Sequence, residues 1–163
     1  MGNTALVYLG PAKVTFGTAT PITFDLTKGI TLNYGQQTQP VTVDQFGTAP
    51  IKEVVTGQNM TVEVTIAESD FAKLTKLIPG SAYDAPSKTL TINNATGVDL
   101  LSIADKLVIA PNVTGAFDTI TINKAAAHPD FSRQFTQNGE QVYKVTFVAY
   151  PDSNNKYATF VSP

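Results

Sequence analysis

The stretch GITLNYGQQTQPVTVDQFGTAPIKEVVTGQNMTVEVTIAE, Gly29 to Glu68, decides how this chain is read. Its last part alternates without a fault, with Met60, Val62, Val64 and Ile66 on one side and Thr61, Glu63 and Thr65 on the other. That period of two marks a half-buried antiparallel strand, because successive side chains of a pleated backbone point to opposite faces. The first part alternates as well: Ile30, Leu32 and Tyr34 oppose Thr31 and Asn33, and Val41 and Val43 oppose Thr42 and Asp44. Between them Gly35 to Pro40 holds turn formers, so the reading is a hairpin with one apolar face and one small, polar, nearly uncharged face. Phe46 to Gly57 follows as a loop carrying Phe46, Ile51, Val54 and Val55, with only Lys52 and Glu53 charged. Loops normally run over the surface, so an apolar one either packs back on its own core or docks on a partner.

Working outward, β-branched and aromatic residues fall in short runs punctuated by Gly, Pro, Asn and Asp, which favours a mainly β chain. The 163 residues suit one domain, large enough to fold without a metal or disulfide. Short strands are expected at Thr4–Leu9, Lys13–Phe16, Lys88–Asn93, Asp105–Ala110, Thr119–Lys124 and Val142–Tyr150. One helix is persuasive: Ser69 or Asp70 as N-cap, Phe71, Leu74, Leu77 and Ile78 at helical spacing, and Pro79-Gly80 as the stop. Lys73 and Lys76 read as its solvated face. Ala125 to Gly139, with His128-Pro129-Asp130, reads as turn chemistry around a weak strand at Phe131–Thr136. The tail from residue 153 is polar until Tyr157–Val161, and is read as an arm that folds on a neighbour.

Chemistry is hard to find. A net charge of −2 with lysines scattered singly gives no footprint for tight nucleic-acid binding. Cysteine is absent, which fits a reducing compartment, and no window approaches the roughly 20 apolar residues that span a bilayer. The start lacks a basic leader before a long apolar core, so neither export nor a membrane is expected. The single histidine, His128, has a proline beside it and no nucleophile pattern around it, and reads as a surface-loop residue. Acidic residues are dispersed singly, without zinc or calcium ligand spacing, and no phosphate-cradling or nucleophile-elbow motif occurs. No catalytic residue, metal or cofactor is therefore assigned, and the chain is not read as an enzyme.

The order of these features carries a resemblance. VTVDQFGTAPIKEVVTGQ (Val41 to Gln58), a strand ending in AES (Ala67 to Ser69), a short amphipathic helix and the late VTFVAYPD (Val145 to Asp152) together resemble the tail tube proteins, or major tail proteins, of long-tailed bacteriophages. The likeness covers about Gly10 to Asp152 and leaves Asp84 to Ala116 unmatched. It implies a two-sheet antiparallel β-sandwich or barrel flanked by one short α-helix. It further implies a virion protein, assembled in the host cytoplasm, that forms hexameric rings stacking into a tube for DNA ejection. One sheet of each protomer would join a continuous inner barrel, which removes exposed edges.

On that resemblance Thr31, Asn33, Thr42 and Asp44 are expected to face the lumen, where double-stranded DNA passes without specific binding. Ile30, Leu32, Val41 and Val43 are expected in the core. A second lumen hairpin would use strands near Thr119–Ala126 and Val142–Tyr150, in an orientation the sequence leaves open. Contacts between subunits or rings are expected at Phe46, Ile51, Val54 and Val55 in the 46–57 loop, at Leu6 in an N-terminal arm (1–10), and at Tyr157 and Phe160 in a C-terminal arm (153–163). A tape-measure protein and a tail terminator are the implied partners. The same β pattern also suits a monomeric immunoglobulin-like or carbohydrate-binding sandwich, or a terminator or baseplate subunit that forms a single closed ring.

Overall fold

The computed structural model describes residues 10–68, 70–133 and 142–163. The chain is mainly β, with two antiparallel sheets and one short helix. Strands β1 (Ala12–Phe16), β2 (Ile22–Phe24), β3 (Thr27–Thr42) and β4 (Pro50–Ile66) precede helix α1 (Phe71–Leu74). A small hairpin of β5 (Ser81–Asp84) and β6 (Thr89–Ile92) follows, and then β7 (Asp105–Pro111), β8 (Thr119–Arg133), β9 (Tyr143–Ala149) and β10 (Thr159–Val161). The large sheet runs β2-β1-β7-β8-β9-β4-β3, with β10 added on β8, and β5-β6 is the second sheet.

The two layers of the sandwich are two ends of that one large sheet. Val14 and Phe16 of β1 and Leu107 and Ile109 of β7 share a buried cluster with Val62 and Val64 of β4 and with Val145 and Phe147 of β9. The rings of Phe16 and Phe147 lie 5.3 Å apart although β7 and β8 separate their strands in the sheet, so the sheet must curl over on itself. The corner is β8. Its first half pairs with β7 and its second with β9, and Ala125 is opposite Asp105 on one side and Ala149 on the other. Ala125, Ala126 and Ala127 are all buried there, and only a small side chain fits where neither face of a strand is free.

Sequence expectations change in the hairpin and in β8. Gly35 to Pro40 is not a turn: β3 is continuous, pairing along its length with β4, and the chain reverses after Val43 through a 3-10 turn at Asp44–Phe46. Most of the expected 46–57 loop is therefore strand. His128 likewise belongs to β8, opposite Thr146, in place of the expected turn, and it is partly buried. A register shift follows it, between His128 and Ser132.

Helix α1 begins at Asp70, whose carboxylate accepts from the backbone N–H of Ala72 at 3.0 Å. After Leu74 the chain tightens, with Leu77 N–H donating to the Leu74 carbonyl, and this brings Leu77 into the core beside Leu74. Lys73, expected on a solvated face, instead forms an ion pair with Glu68, donates to the Thr23 carbonyl at 2.8 Å and lies over the Phe24 ring. Glu68 also accepts from the backbone N–H of Asp25 and Leu26, tying the β2–β3 turn to the end of β4.

Partial burial works against the Glu68 charge, but the Lys73 hydrogen bond, the two backbone donors and the Lys73 charge outweigh it and hold the carboxyl below its ordinary 4.5. A carboxyl lowered on folding stabilises above its unfolded pKa, and that contribution is lost as pH falls through the folded value. Glu68→Gln is expected to cost about 1–2 kcal/mol at neutral pH in urea unfolding. The gap to the parent chain should close as pH drops below 4.5. A gap independent of pH would show that charge is not what the glutamate supplies.

Candidate assembly surface: a long hairpin and an outward sheet face

The β3–β4 hairpin outgrows the body that supports it. Strand β9 pairs with β4 only from Thr61 to Ile66, and the buried members of β4 are Met60, Val62, Val64 and Ile66. From Gln36 out to Thr42, and back from Pro50 to Gln58, the two strands pair only with each other among the described residues. Seven residues of strand at about 3.3 Å each give an arm of roughly 23 Å. Its tip closes with Gly47 at φ 64, whose N–H donates to the Asp44 carbonyl.

Apolar side chains lie on both faces of this arm. Val54 is opposite Gln39 and Val55 is opposite Thr38, so the two valines point to opposite sides, and each is 46% exposed. Ile51, nearer the tip, is 50% exposed. A bulge at Thr56, whose hydroxyl donates to the Gln37 carbonyl, and a second irregularity at Ile51 increase the local twist. An arm with one apolar face could lie down on its own body. One with two cannot cover both faces in that way.

The other expected contact residues are spread out. Phe46 lies in the 3-10 turn, and its side chain is outside the described residues, as is Leu6. The C-terminal segment is not a detached arm. Asp152 accepts from the N–H of Asn154 and Lys156 and from the Asn123 side chain, and this turn delivers β10 onto β8. Tyr157 is partly buried and donates its hydroxyl to the Gln58 carbonyl at the root of the hairpin, while Phe160 in β10 remains 52% exposed.

The four residues expected to line a lumen do not share one face. Thr31 and Asn33 lie beside Glu63 and Thr61 of β4, with Asn33 donating to Glu63, and this face continues onto Thr146 and Lys144 of β9. Ile30 and Leu32 pack from the other side against the core, as expected. Unbroken alternation along β3 puts Thr42 on the side opposite Thr31, and Asp44 rides at the tip. Val41 and Val43 travel out on the arm and are absent from the core cluster. Lys144, opposite Thr65, adds a cation to a face whose β3 residues carry none. That position could have been found, since Tyr143, Val145 and Phe147 alternate with it.

Among the described residues no group of three His, Asp or Glu side chains is placed to hold a metal ion. No protein-family model and no curated protein matches the chain. Solved structures do. A chain in the virion of a native gene transfer agent particle matches with a TM-score of 0.51 at 9% identity, over 99% of this chain and 100% of the other. A chain of the anti-feeding prophage baseplate, 6-fold symmetrised, matches at 0.50 and 9% identity, over 99% and 98%. A chain of the PVC sheath-tube complex of an extracellular contractile injection system, in its extended state, matches at 0.50 and 11% identity over both full lengths. At these identities the shared property is the fold.

Proposed function

We propose that this chain is a tail-tube-type structural subunit of a phage-like particle, and not an enzyme. Copies join as hexameric rings, and the rings stack into a tube that conducts DNA. The observation that carries this reading is the arm with apolar groups on both faces, an expensive surface for a protein that works alone. The fold likeness supports it, because the three similar chains come from a virion, a six-fold symmetrised baseplate and a sheath-tube complex. Ile51, Val54 and Val55 are the proposed contacts between rings, and Phe160 a contact between neighbours.

Thr31 and Asn33 are the proposed lumen residues, on a face of small polar groups where Glu63 offsets Lys144. Few cations there would let DNA slide, since each phosphate contact adds salt-dependent drag. A tape-measure protein inside and a terminator at one end are the proposed partners, in the tail of the particle, with assembly in the host cytoplasm.

Negative-stain electron microscopy with sedimentation velocity at rising concentration tests the reading. Hollow tubes or stacked rings are expected. Single closed rings at every concentration would favour a baseplate-type ring, the alternative suggested by the baseplate likeness. A monomer throughout, even with preformed tube ends added as seeds, would overturn both.

A further inference from the structure

The segments that leave α1 and β6 bound a groove of about 580 Å³. Leu77, Ile78 and Pro79 line it after α1, Ile92 at the end of β6, and Val98 and Leu100 in the stretch that follows. Ile92 and Val98 are exposed, as are Leu101 and Ile103 just beyond, so the groove opens onto an apolar surface. Its two sides are tied by backbone contacts. Gly80, at φ 72, accepts from the Asn93 N–H at 3.2 Å, and a Cβ there would come within 2.9 Å of that of Ala95, so the two sides meet where only glycine fits.

The groove and the arm lie at opposite ends of β4. That strand runs from the arm's tip at Pro50 to Ile66, and α1 follows it. Ile92 shares a hollow with Tyr143, and Tyr143 is opposite Ile66, which puts the groove at the Ile66 end. The arm extends from the other end, so a chain cannot reach its own groove. A contact between arm and groove therefore joins different patches of two copies, and such a head-to-tail contact propagates unless its rotation closes a ring.

Charge distinguishes the two faces of the arm. The pairs Val55–Thr38 and Glu53–Pro40 share one face, whose single charge is Glu53, whereas Val54–Gln39 and Lys52–Val41 share the other. No acid or lysine is among the described residues that line the groove. Lys76 precedes Leu77, and Lys88 borders the hollow on the other side of Ile92. Asp99 has its carboxylate engaged by the Leu101 N–H. A groove flanked by two lysines suits the face that carries the glutamate.

We infer that the arm of one copy seats its Val55 face in the groove between α1 and β6 of the next. Val55 and Pro40 supply the apolar contact, and Glu53 stays at the rim. This deepens the tube reading and rests on it, since it names the surface that receives the arm and leaves the Val54 face for a further neighbour.

The absence of cysteine allows a clean test. Full-length chains carrying Val55→Cys are mixed with isotope-labelled full-length chains carrying Ile92→Cys or Val98→Cys, with tube ends as seeds, and oxidised. Disulfides between unlike chains are expected to form at least about tenfold faster than with Val54→Cys on the arm, since the bond needs Cα atoms within about 7 Å and Cβ atoms that point together. Microscopy of the same samples reads assembly separately. Tubes without these disulfides, or with Val55→Cys joined only to its own kind, would overturn the inference and leave the tube reading standing. Groove disulfides in short oligomers that never form tubes would uphold the contact and overturn that reading. Neither tubes nor disulfides would overturn both.

Discussion

Val54→Asp is expected to leave the subunit folded and to stop tube growth. Val54 sits in the part of β4 that only β3 accompanies, and nearly half of its surface is open to water. A change there touches no core residue, so its cost to the monomer is about 1 kcal/mol or less, mostly lost strand propensity. In a stacked ring the balance differs. Burying the rest of a half-exposed valine yields roughly 1 kcal/mol, whereas burying an unpaired carboxylate costs several kcal/mol per ion, and the penalty recurs at every subunit of every ring. Parent and variant should therefore show the same urea midpoint to within measurement error and differ wholly in polymer by sedimentation and microscopy. A variant that still makes tubes would remove this side of the arm from the interface.

Phe147→Ala should act in the opposite place. Phe147 is 1% exposed, its ring meets Phe16 across the two layers, and its strand neighbours are Val62 and Ala127. Truncation removes the side chain that joins the layers and leaves a cavity beside Ala127, too short to fill it, so the loss should reach about 3–5 kcal/mol in urea unfolding. That is a large share of the 5–15 kcal/mol that holds an ordinary domain together. Expression as a soluble but loosely packed species, with near-ultraviolet circular dichroism lost before the far-ultraviolet signal, is the expected appearance. A loss under about 1 kcal/mol would mean that the layers are joined elsewhere.

Wherever a strand has one wet and one dry face, the sequence shows it. Met60 to Ile66 and Tyr143 to Ala149 are buried in the alternation their residue types announce. The failures come from residues with two possible reasons for being present. Gly35 reads as a turn former, but in β3 it lies opposite Asn59, whose side-chain carbonyl occupies the space a Cβ would need. Pro40 reads as a breaker, yet an end strand tolerates it because the outward side of its backbone needs no donor. Once Gly35 to Pro40 is strand, the parity of everything beyond it changes, which is why Thr42 parts from Thr31 and why Val41 and Val43 leave the core. On the assembly surface, Ile51, Val54 and Val55 could be picked out as apolar residues among polar ones, but not their two-sidedness, since Val54 and Val55 take opposite faces only once the expected loop is strand. Lys73 was hidden because its partners come from two separate parts of the chain, Thr23 and Phe24 in β2 and Glu68 after β4.

The shared strand at the corner of the sandwich has a mechanical meaning. In most sandwiches the two layers adhere through side chains, and a sideways force can slide one over the other. Here β8 belongs to both, so a pull on the arm passes along β4 and β9 into a covalent backbone that continues into the layer of β7 and β1. Hydrogen bonds in antiparallel ladders stand perpendicular to such a load and must break many at a time. In the proposed tube, a wall of such subunits would transmit tension through its strands and would yield first at the junctions between subunits, with each subunit intact.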